Sequence, residues 1–230
     1  MKKFSLSIRN LYELSRERKI GTVSWWWFGL AFVVFAGLMA LFAWIVEEVG
    51  EGDTLAFDEA VLRWFEGIHT PWLDQFVSLT TNLGGTIGVA VIVVVALGLL
   101  LWKHKRRAVM QFGLGVAGAV GLNLILKNIF TRARPDLWEQ IVIENSYSFP
   151  SGHAMASSAL AFSFILIFWQ TRYRWPVTTL AIIYMVFVGM TRLYLGVHYP
   201  SDIVAGWTMS AIWVIVVAVL IGTLRVRKRQ

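Results

Sequence analysis

Six runs without a charged residue divide this chain: Trp25–Val46, Gln75–Trp102, Ala108–Leu126, Ala154–Thr171, Trp175–Thr191 and Ile203–Leu224. They are 17 to 28 residues long, and a helix crosses the hydrocarbon core of a bilayer with about 20 apolar residues. Strands of a membrane β-barrel would instead alternate polar and apolar over about 10 residues, which these runs do not do. With 57% hydrophobic and 15% charged residues, the chain is outside the range of soluble domains. The expected fold is all-α, a bundle of six transmembrane helices. The Gln75 run is long enough to include a lead-in, so its span is expected to begin near Leu83. The first run lacks a small-x-small exit and follows about two dozen residues, so it is read as a span and not as a cleaved signal peptide.

Charge sets the expected orientation. Of 21 Lys and Arg, 16 fall before the first span, in Lys103–Arg107, at Arg172 and Arg174, or after Leu224. The remaining Arg63, Lys127, Arg132, Arg134 and Arg192 fall on the other side. By the positive-inside rule both termini are cytoplasmic, in a multi-pass protein of the plasma or inner membrane. This distribution also removes nucleic acid as the partner that a net charge of +7 would otherwise suggest. Trp25 to Trp27, Trp44, Trp102, Trp169 and Trp175 stand at run ends, where aromatic belts form. With no cysteine, disulfides, thiolate catalysis and Cys-ligated metal are excluded.

Three parts are expected: a basic cytoplasmic segment 1–22, the membrane domain 23–224 and a basic cytoplasmic tail 225–230. The first of these carries Phe4, Ile8, Leu11 and Tyr12 at helical spacing and suits anionic headgroups. Between the first two spans, residues 55–70 read as an outer interfacial helix. Phe57, Val61, Trp64, Phe65 and Ile68 mark its apolar face, Asp58, Glu59, Arg63 and Glu66 lie opposite, and Thr70-Pro71 stops it. Asp53, Asp58 and Asp74 have no evident partner. Gly113, Gly115, Gly118 and Gly121 allow neighbours to approach the third span closely. No internal repeat supports an inverted-repeat transporter.

The chemistry gathers at the outer ends of the last four spans. Pro150-Ser151-Gly152-His153 precedes the fourth, and backbone N–H groups at a helix start form an anion site. Ser151 adds a hydroxyl and His153 a proton that titrates near neutrality. Lys127 ends the third span, and Arg134-Pro135 follows seven residues later; a continuing helix would put Lys127 and Arg134 on one face. Arg192 ends the fifth span. His198 precedes Asp202 by four residues, near enough for the carboxylate to take the Nδ1 proton and leave Nε2 a lone pair. Singly, each cation could be snorkelling from a helix end and the His–Asp pair could be a cap. Together, three cations, a helix N-terminus and two histidines point to one anion.

In these blocks the chain resembles the type 2 phosphatidic acid phosphatase superfamily of membrane lipid phosphatases. Its signature is Lys-x6-Arg-Pro, Pro-Ser-Gly-His and Ser-Arg-x5-His-x3-Asp. Here these are Lys127 through Pro135, Pro150 to His153, and Thr191-Arg192 through His198 to Asp202; Thr191 replaces the serine and keeps its hydroxyl. The resemblance implies a lipid phosphate substrate drawn from the bilayer and an extracytoplasmic active site, with no cofactor or metal. It implies that His198 attacks phosphorus to form a phosphohistidine and that Asp202 orients it. His153 would serve as general acid, then base, while Lys127, Arg134, Ser151, Gly152 and Arg192 hold the phosphate. The substrates it suggests are undecaprenyl pyrophosphate, phosphatidylglycerophosphate and phosphatidic acid.

Three alternatives stand beside this reading. A phosphotransferase would pass the same phosphoryl group to an acceptor lipid, and a carrier would use the cations for binding alone. A metal-dependent site would have to recruit Asp136, Glu139, Glu144 or His69, whose spacing matches no ligand pattern.

Overall fold

A computed structural model describes residues 25–227 of the chain. The segment 1–22 and the last three residues of the basic tail lie outside the described residues. Eight α-helices follow in order: α1 (Trp25–Glu51), α2 (Leu55–Glu66), α3 (Pro71–Thr80), α4 (Thr86–Trp102), α5 (Arg106–Phe130), α6 (Gly152–Phe168), α7 (Arg174–Tyr194) and α8 (Pro200–Arg227). A 3-10 turn, Thr81–Leu83, joins α3 to α4. The chain divides into two units, Met1–Gly37 and Leu38–Gln230. Of the first, residues 25–37 are described, and they are helical. Everything below concerns the second.

The protein is all-helical and carries several apolar helices of membrane-crossing length. Phe32–Glu51, Arg106–Phe130, Arg174–Tyr194 and Pro200–Gly222 are each long and apolar enough to cross a bilayer. So is the pair Pro71–Leu83 and Thr86–Trp102 taken together, bent by 43°. The chain is therefore helical well before Leu83, where the span was expected to begin. Its break lies at glycines: a Cβ on Gly84 would sit 2.3 Å from Val188 Cγ1, and one on Gly88 would sit 2.2 Å from the Asn82 carbonyl. A helix bends where its neighbours crowd small residues of this kind.

α6 is the centre of the second unit, packing against α5, α7 and α8. Every residue from Ala154 to Ala161 is buried, as expected of a helix enclosed on all sides. Its small side chains let three neighbours approach, and two of its hydroxyls find acceptors within the helix: Ser157 and Ser158 donate to the Ala154 carbonyl at 3.2 and 2.6 Å. α5 and α8 are equally close. A Cβ on Gly118 would lie 2.3 Å from the Trp213 indole, whose Nε1 donates to the Leu114 carbonyl at 3.0 Å.

Within segment 55–70 the helix α2 occupies Leu55–Glu66. Its buried residues are Asp58, Leu62 and Phe65, whereas Phe57 is 66% and Trp64 62% exposed. Of the apolar stripe, Phe57 and Trp64 are exposed and Phe65 is buried, while Asp58, assigned to the opposite face, is enclosed by the protein. Thr70 caps α3, accepting from the Leu73 N–H at 3.4 Å, which ends the preceding segment where Thr70-Pro71 predicted.

Gly118 and Gly121 should respond oppositely to substitution. Gly118→Val drives a branched side chain into the Trp213 ring and should cost about 1–3 kcal/mol. An added Cβ on Gly121 meets nothing within 4 Å, so Gly121→Ala should be neutral or stabilising by up to about 1 kcal/mol. Thermal unfolding in detergent checks both, and equal losses would contradict the packing described.

Candidate active site

The site is assembled from four loops and helix ends on one side of the second unit. Ser151 caps α6: its Oγ accepts from the Ala154 N–H at 3.4 Å, and the residue is fully buried. The Ser151 N–H donates to the Asp202 carbonyl at 3.2 Å, joining this turn to the start of α8. From α5, the Asn123 amide donates to the Pro150 carbonyl at 2.9 Å. Its Oδ1 lies 3.0 Å from where a Gly152 Cβ would be, so only glycine fits there. His153 rests against the break between α3 and α4, its Nε2 3.2 Å from a Cβ placed on Gly85.

Lys127 and Arg134 do come together, but not on a helix face. α5 ends at Phe130, and Thr131 turns left-handed at φ 45°, its N–H still bonded to the Lys127 carbonyl. The chain then doubles back, and Arg134 reaches the site from a loop. Lys127 Nζ donates to Ser146 Oγ at 2.9 Å and to the Tyr147 carbonyl at 2.5 Å. Arg134 donates to the Ser146 carbonyl at 2.7 Å and to the Val197 carbonyl at 2.6 Å. The helix does not continue to Arg134, because a left-handed residue, Thr131, ends it before Pro135 can.

His198 lies in the loop between α7 and α8, 1% exposed. Its Nδ1 is 3.3 Å from Asp202 Oδ2, and its Nε2 is 3.2 Å from Arg134 Nη1. Arginine can only donate and a carboxylate only accept, so the proton sits on Nδ1 and Nε2 holds the lone pair. Burial pushes the His198 pKa well below its ordinary value, with Arg134, Arg192 and Lys127 adding to the effect. The ring is neutral at physiological pH. Gly196 shapes this loop. It takes φ +67°, and a Cβ there would meet the Trp138 indole at 2.4 Å, so both backbone and space require glycine.

Arg192, 1% exposed, is balanced by Glu144, to which its Nη2 is bonded. Its Nη1 donates to Thr81 Oγ1 at 3.0 Å, and its buried Nε has no hydrogen-bond partner among the described residues. Glu144 also lies 3.7 Å from Arg134. Thus Glu144, a candidate ligand in the metal-dependent alternative, is a counterion of the cation cluster. His69, another of that set, faces Asp74 at 3.4 Å and stacks on Tyr194. Asp74 also accepts from the Tyr194 hydroxyl at 2.5 Å, so it does not lack partners. Among the described residues no three His, Asp or Glu gather as metal ligands.

A cavity of about 700 Å³ opens here. Of the eight residues singled out in the sequence, Lys127, Arg134, Gly152, His153 and His198 line it. Asp202 lies behind His198, Ser151 is occupied as a helix cap, and Arg192 is covered by Glu144. Below the polar end the cavity runs between α4 and α5, past Val89, Val93 and Leu97 on one side and Val116 and Val120 on the other.

Several members of the site escaped sequence reasoning. Arg132 donates to Asp202 Oδ1 at 2.6 Å and to Asp58 Oδ2 at 3.0 Å. Thr81 meets Arg192, and Asn123 holds the Pro150 turn. Asn123 could have been found: it is an amide one helical turn before Lys127 in the apolar middle of α5, where polar residues tend to face the protein interior. Asp58 and Thr81 carry no such local signal, because their partners are 74 and 111 residues away.

Residues 108–225 match the model of the PAP2 superfamily. The chain is 31% identical over 161 residues to phosphatidylglycerophosphatase B of Bacillus subtilis, covering 66% of this chain and 77% of that one. It is 33% identical over 121 residues to an undecaprenyl-diphosphatase of Sulfolobus acidocaldarius, covering 50% and 56%. Its structure superposes on the crystal structure of a transmembrane PAP2-type phosphatidylglycerolphosphate phosphatase from Bacillus subtilis with a TM-score of 0.74, at 25% identity, covering 81% of this chain and 94% of that one. With its motif residues converging on one cavity and the family match extending over half its length, the chain belongs to the PAP2 superfamily.

Proposed function

We propose that this protein hydrolyses the terminal phosphate of a lipid phosphate or pyrophosphate, without metal, through a phosphohistidine at the outer face of the membrane. The observation that carries this reading is His198: neutral, oriented by Asp202, with its Nε2 lone pair at the polar end of a cavity that continues as an apolar groove. A phosphate on a membrane-anchored tail matches both ends of that cavity.

In the first step Nε2 of His198 attacks phosphorus and the bond from phosphorus to the lipid oxygen breaks. His153 gives its proton to the departing oxygen. The ring, now cationic, is stabilised by Asp202 at Nδ1. In the second step water attacks phosphorus and the P–N bond breaks, while His153 takes the water proton. Lys127, Arg134, Arg192 and the Gly152 N–H supply positive charge to the phosphoryl oxygens. The unpartnered Nε of Arg192 fits that task. To engage phosphate, Arg134 must leave His198 Nε2 and Glu144 must yield its place on Arg192. Phosphatidylglycerophosphate, undecaprenyl pyrophosphate and phosphatidic acid are the substrates proposed, since each presents a terminal phosphate on an apolar tail.

The proposed topology has six spans: α1, the bent pair α3–α4, and α5 to α8. Both termini are cytoplasmic, and α2 lies at the outer interface with Phe57 and Trp64 toward lipid. α6 has only 17 residues, but it sits within the other spans and can be short.

Purified protein assayed with EDTA should release phosphate from at least one of the three lipids. His198→Ala should lower that rate by at least about 10³-fold, and Asp202→Asn by a similar factor. Activity lost with EDTA would refute the metal-free mechanism, and full activity in His198→Ala would refute the nucleophile. Transfer of label to an added lipid instead of water would favour the phosphotransferase, and transport retained by His198→Ala would favour the carrier.

The His198 ring should also resist protonation. A folded pKa depressed below the ordinary value of about 6.5 leaves the imidazole neutral from pH 8 down to about pH 6. Nitrogen NMR of histidine-labelled, ligand-free protein should show a bare Nε2 across that range. A titration midpoint at or above about 6.5 would contradict the site described.

A further inference from the structure

Behind the His198–Asp202 pair stand three charged or polar groups that the reaction as written leaves without a task. Asp58, on α2, is fully buried, and so is Asp202. Arg132 lies between them, with Nη1 2.6 Å from Asp202 Oδ1 and Nη2 3.0 Å from Asp58 Oδ2. Asp58 also grips the start of α8: its Oδ1 accepts from the Ser201 N–H at 3.0 Å and its Oδ2 from the Ser201 hydroxyl at 2.5 Å. Arg132 reaches the same hydroxyl at 2.7 Å and lies 4.2 Å from the centre of the Tyr199 ring. Two carboxylates thus share one guanidinium, and all of them bear on the turn that holds Asp202.

We propose that Asp58 and Arg132 are positioning residues for the nucleophile, a relay by which the outer helix α2 fixes the orientation and charge of Asp202. The inference rests on His198 being the nucleophile. A lone arginine on Asp202 would neutralise the carboxylate that must stabilise a cationic His198 ring. Asp58 takes half of that arginine. The three groups then carry a net charge of −1, leaving a negative charge for the imidazolium that forms on attack. The planar fork of arginine suits this place, because Nη1 meets one carboxylate and Nη2 the other in a fixed geometry. The remaining Asp202 oxygen has two donors, His198 and the Tyr199 N–H at 2.9 Å, so it cannot swing away.

A group that only packs α2 onto the bundle would affect folding; one that acts through Asp202 affects the chemical step. Asp58→Asn keeps the size and an acceptor for the Ser201 N–H, and removes the charge together with the acceptor that faces Arg132. It should lower kcat by about 10- to 100-fold while KM stays within about 2-fold, as outer partners of a reacting group typically do. Arg132→Lys, which keeps the charge but replaces the two-nitrogen fork with a single nitrogen, should show the same split. It also decides the question if Asp58→Asn does not fold. Quenched single-turnover reactions with labelled lipid phosphate should show phosphoenzyme forming more slowly in both variants, at unchanged substrate affinity. Wild-type kcat in a folded Asp58→Asn or Arg132→Lys protein would overturn the relay, as would a loss confined to KM or to thermal stability. If the wild-type enzyme forms no acid-labile phosphoenzyme, the nucleophile assignment falls and the relay with it.

Discussion

A guanidinium as deeply buried as that of Arg192 persists only against a carboxylate, and Glu144 supplies it. Desolvating two charges costs several kcal/mol each, and that cost is offset only when geometry and further hydrogen bonds are good. Thr81 provides one of those bonds, from the break between α3 and α4. Glu144 itself stands on the loop between α5 and α6, which must fold back over the helix ends to reach Arg192. The same loop presents Arg134, Ser146 and Tyr147. It is tied at its base, where the Ser148 N–H donates to the Arg132 carbonyl at 2.9 Å. Charge balance at one arginine thus fixes the path of a loop, and the loop completes the cation cluster. In the ligand-free protein, carbonyls, Ser146 and Glu144 occupy most of the donors that the proposed phosphate would take. These partners hold the cations in place, and a phosphate must displace some of them, Glu144 on Arg192 among them.

The motif residues were legible because each stands at a helix end, and helix ends can be read from where charge-free runs stop. Pro150 to His153, Arg192 and His198 with Asp202 needed only the topology to be gathered on one side. The path between them was not legible. Lys127 and Arg134 have a spacing that suits a helix, and nothing in Thr131 announces a left-handed residue, which is uncommon outside glycine and asparagine. Gly196 is different: a glycine two residues before His198 invites a tight turn, and the turn is there. What it could not show is Trp138, brought from 58 residues away to fill the space a side chain would need.

α2 shows why the usual inference from amphipathicity reverses in this setting. In water the apolar stripe of a helix faces inward. Where lipid is the surroundings, an apolar face can point outward at no cost, and the polar residue marks the protein side. Asp58 is buried while Phe57 and Trp64 are exposed. α5 follows the same rule: Gln111, Asn123 and Lys127 are buried, while Leu114, Leu124 and Ile125 are exposed. Reading the polar residues of apolar helices as the inward stripe would have placed Asn123 correctly, though in α2 it would not have told buried Asp58 from exposed Arg63 and Glu66. It would still not have paired Asp58 with Arg132, because that pairing depends on how three separate segments cross.

The two ends of the cavity contribute differently on the proposed reaction. A tail that leaves the bilayer for the groove between α4 and α5 exchanges one apolar environment for another, since lipid is about as apolar as the valines and leucines that line it. Little binding energy arises there, and little discrimination among tails that fit. The phosphate, by contrast, leaves water for a cluster of cations in a region of low dielectric, where each charge interaction is strengthened. Selection should therefore fall on the headgroup and on whatever adjoins the phosphate, near Ser146 and the loop that carries Glu144. The tail serves chiefly to hold the phosphate at the depth of His198, which is set by where α7 ends and α8 begins.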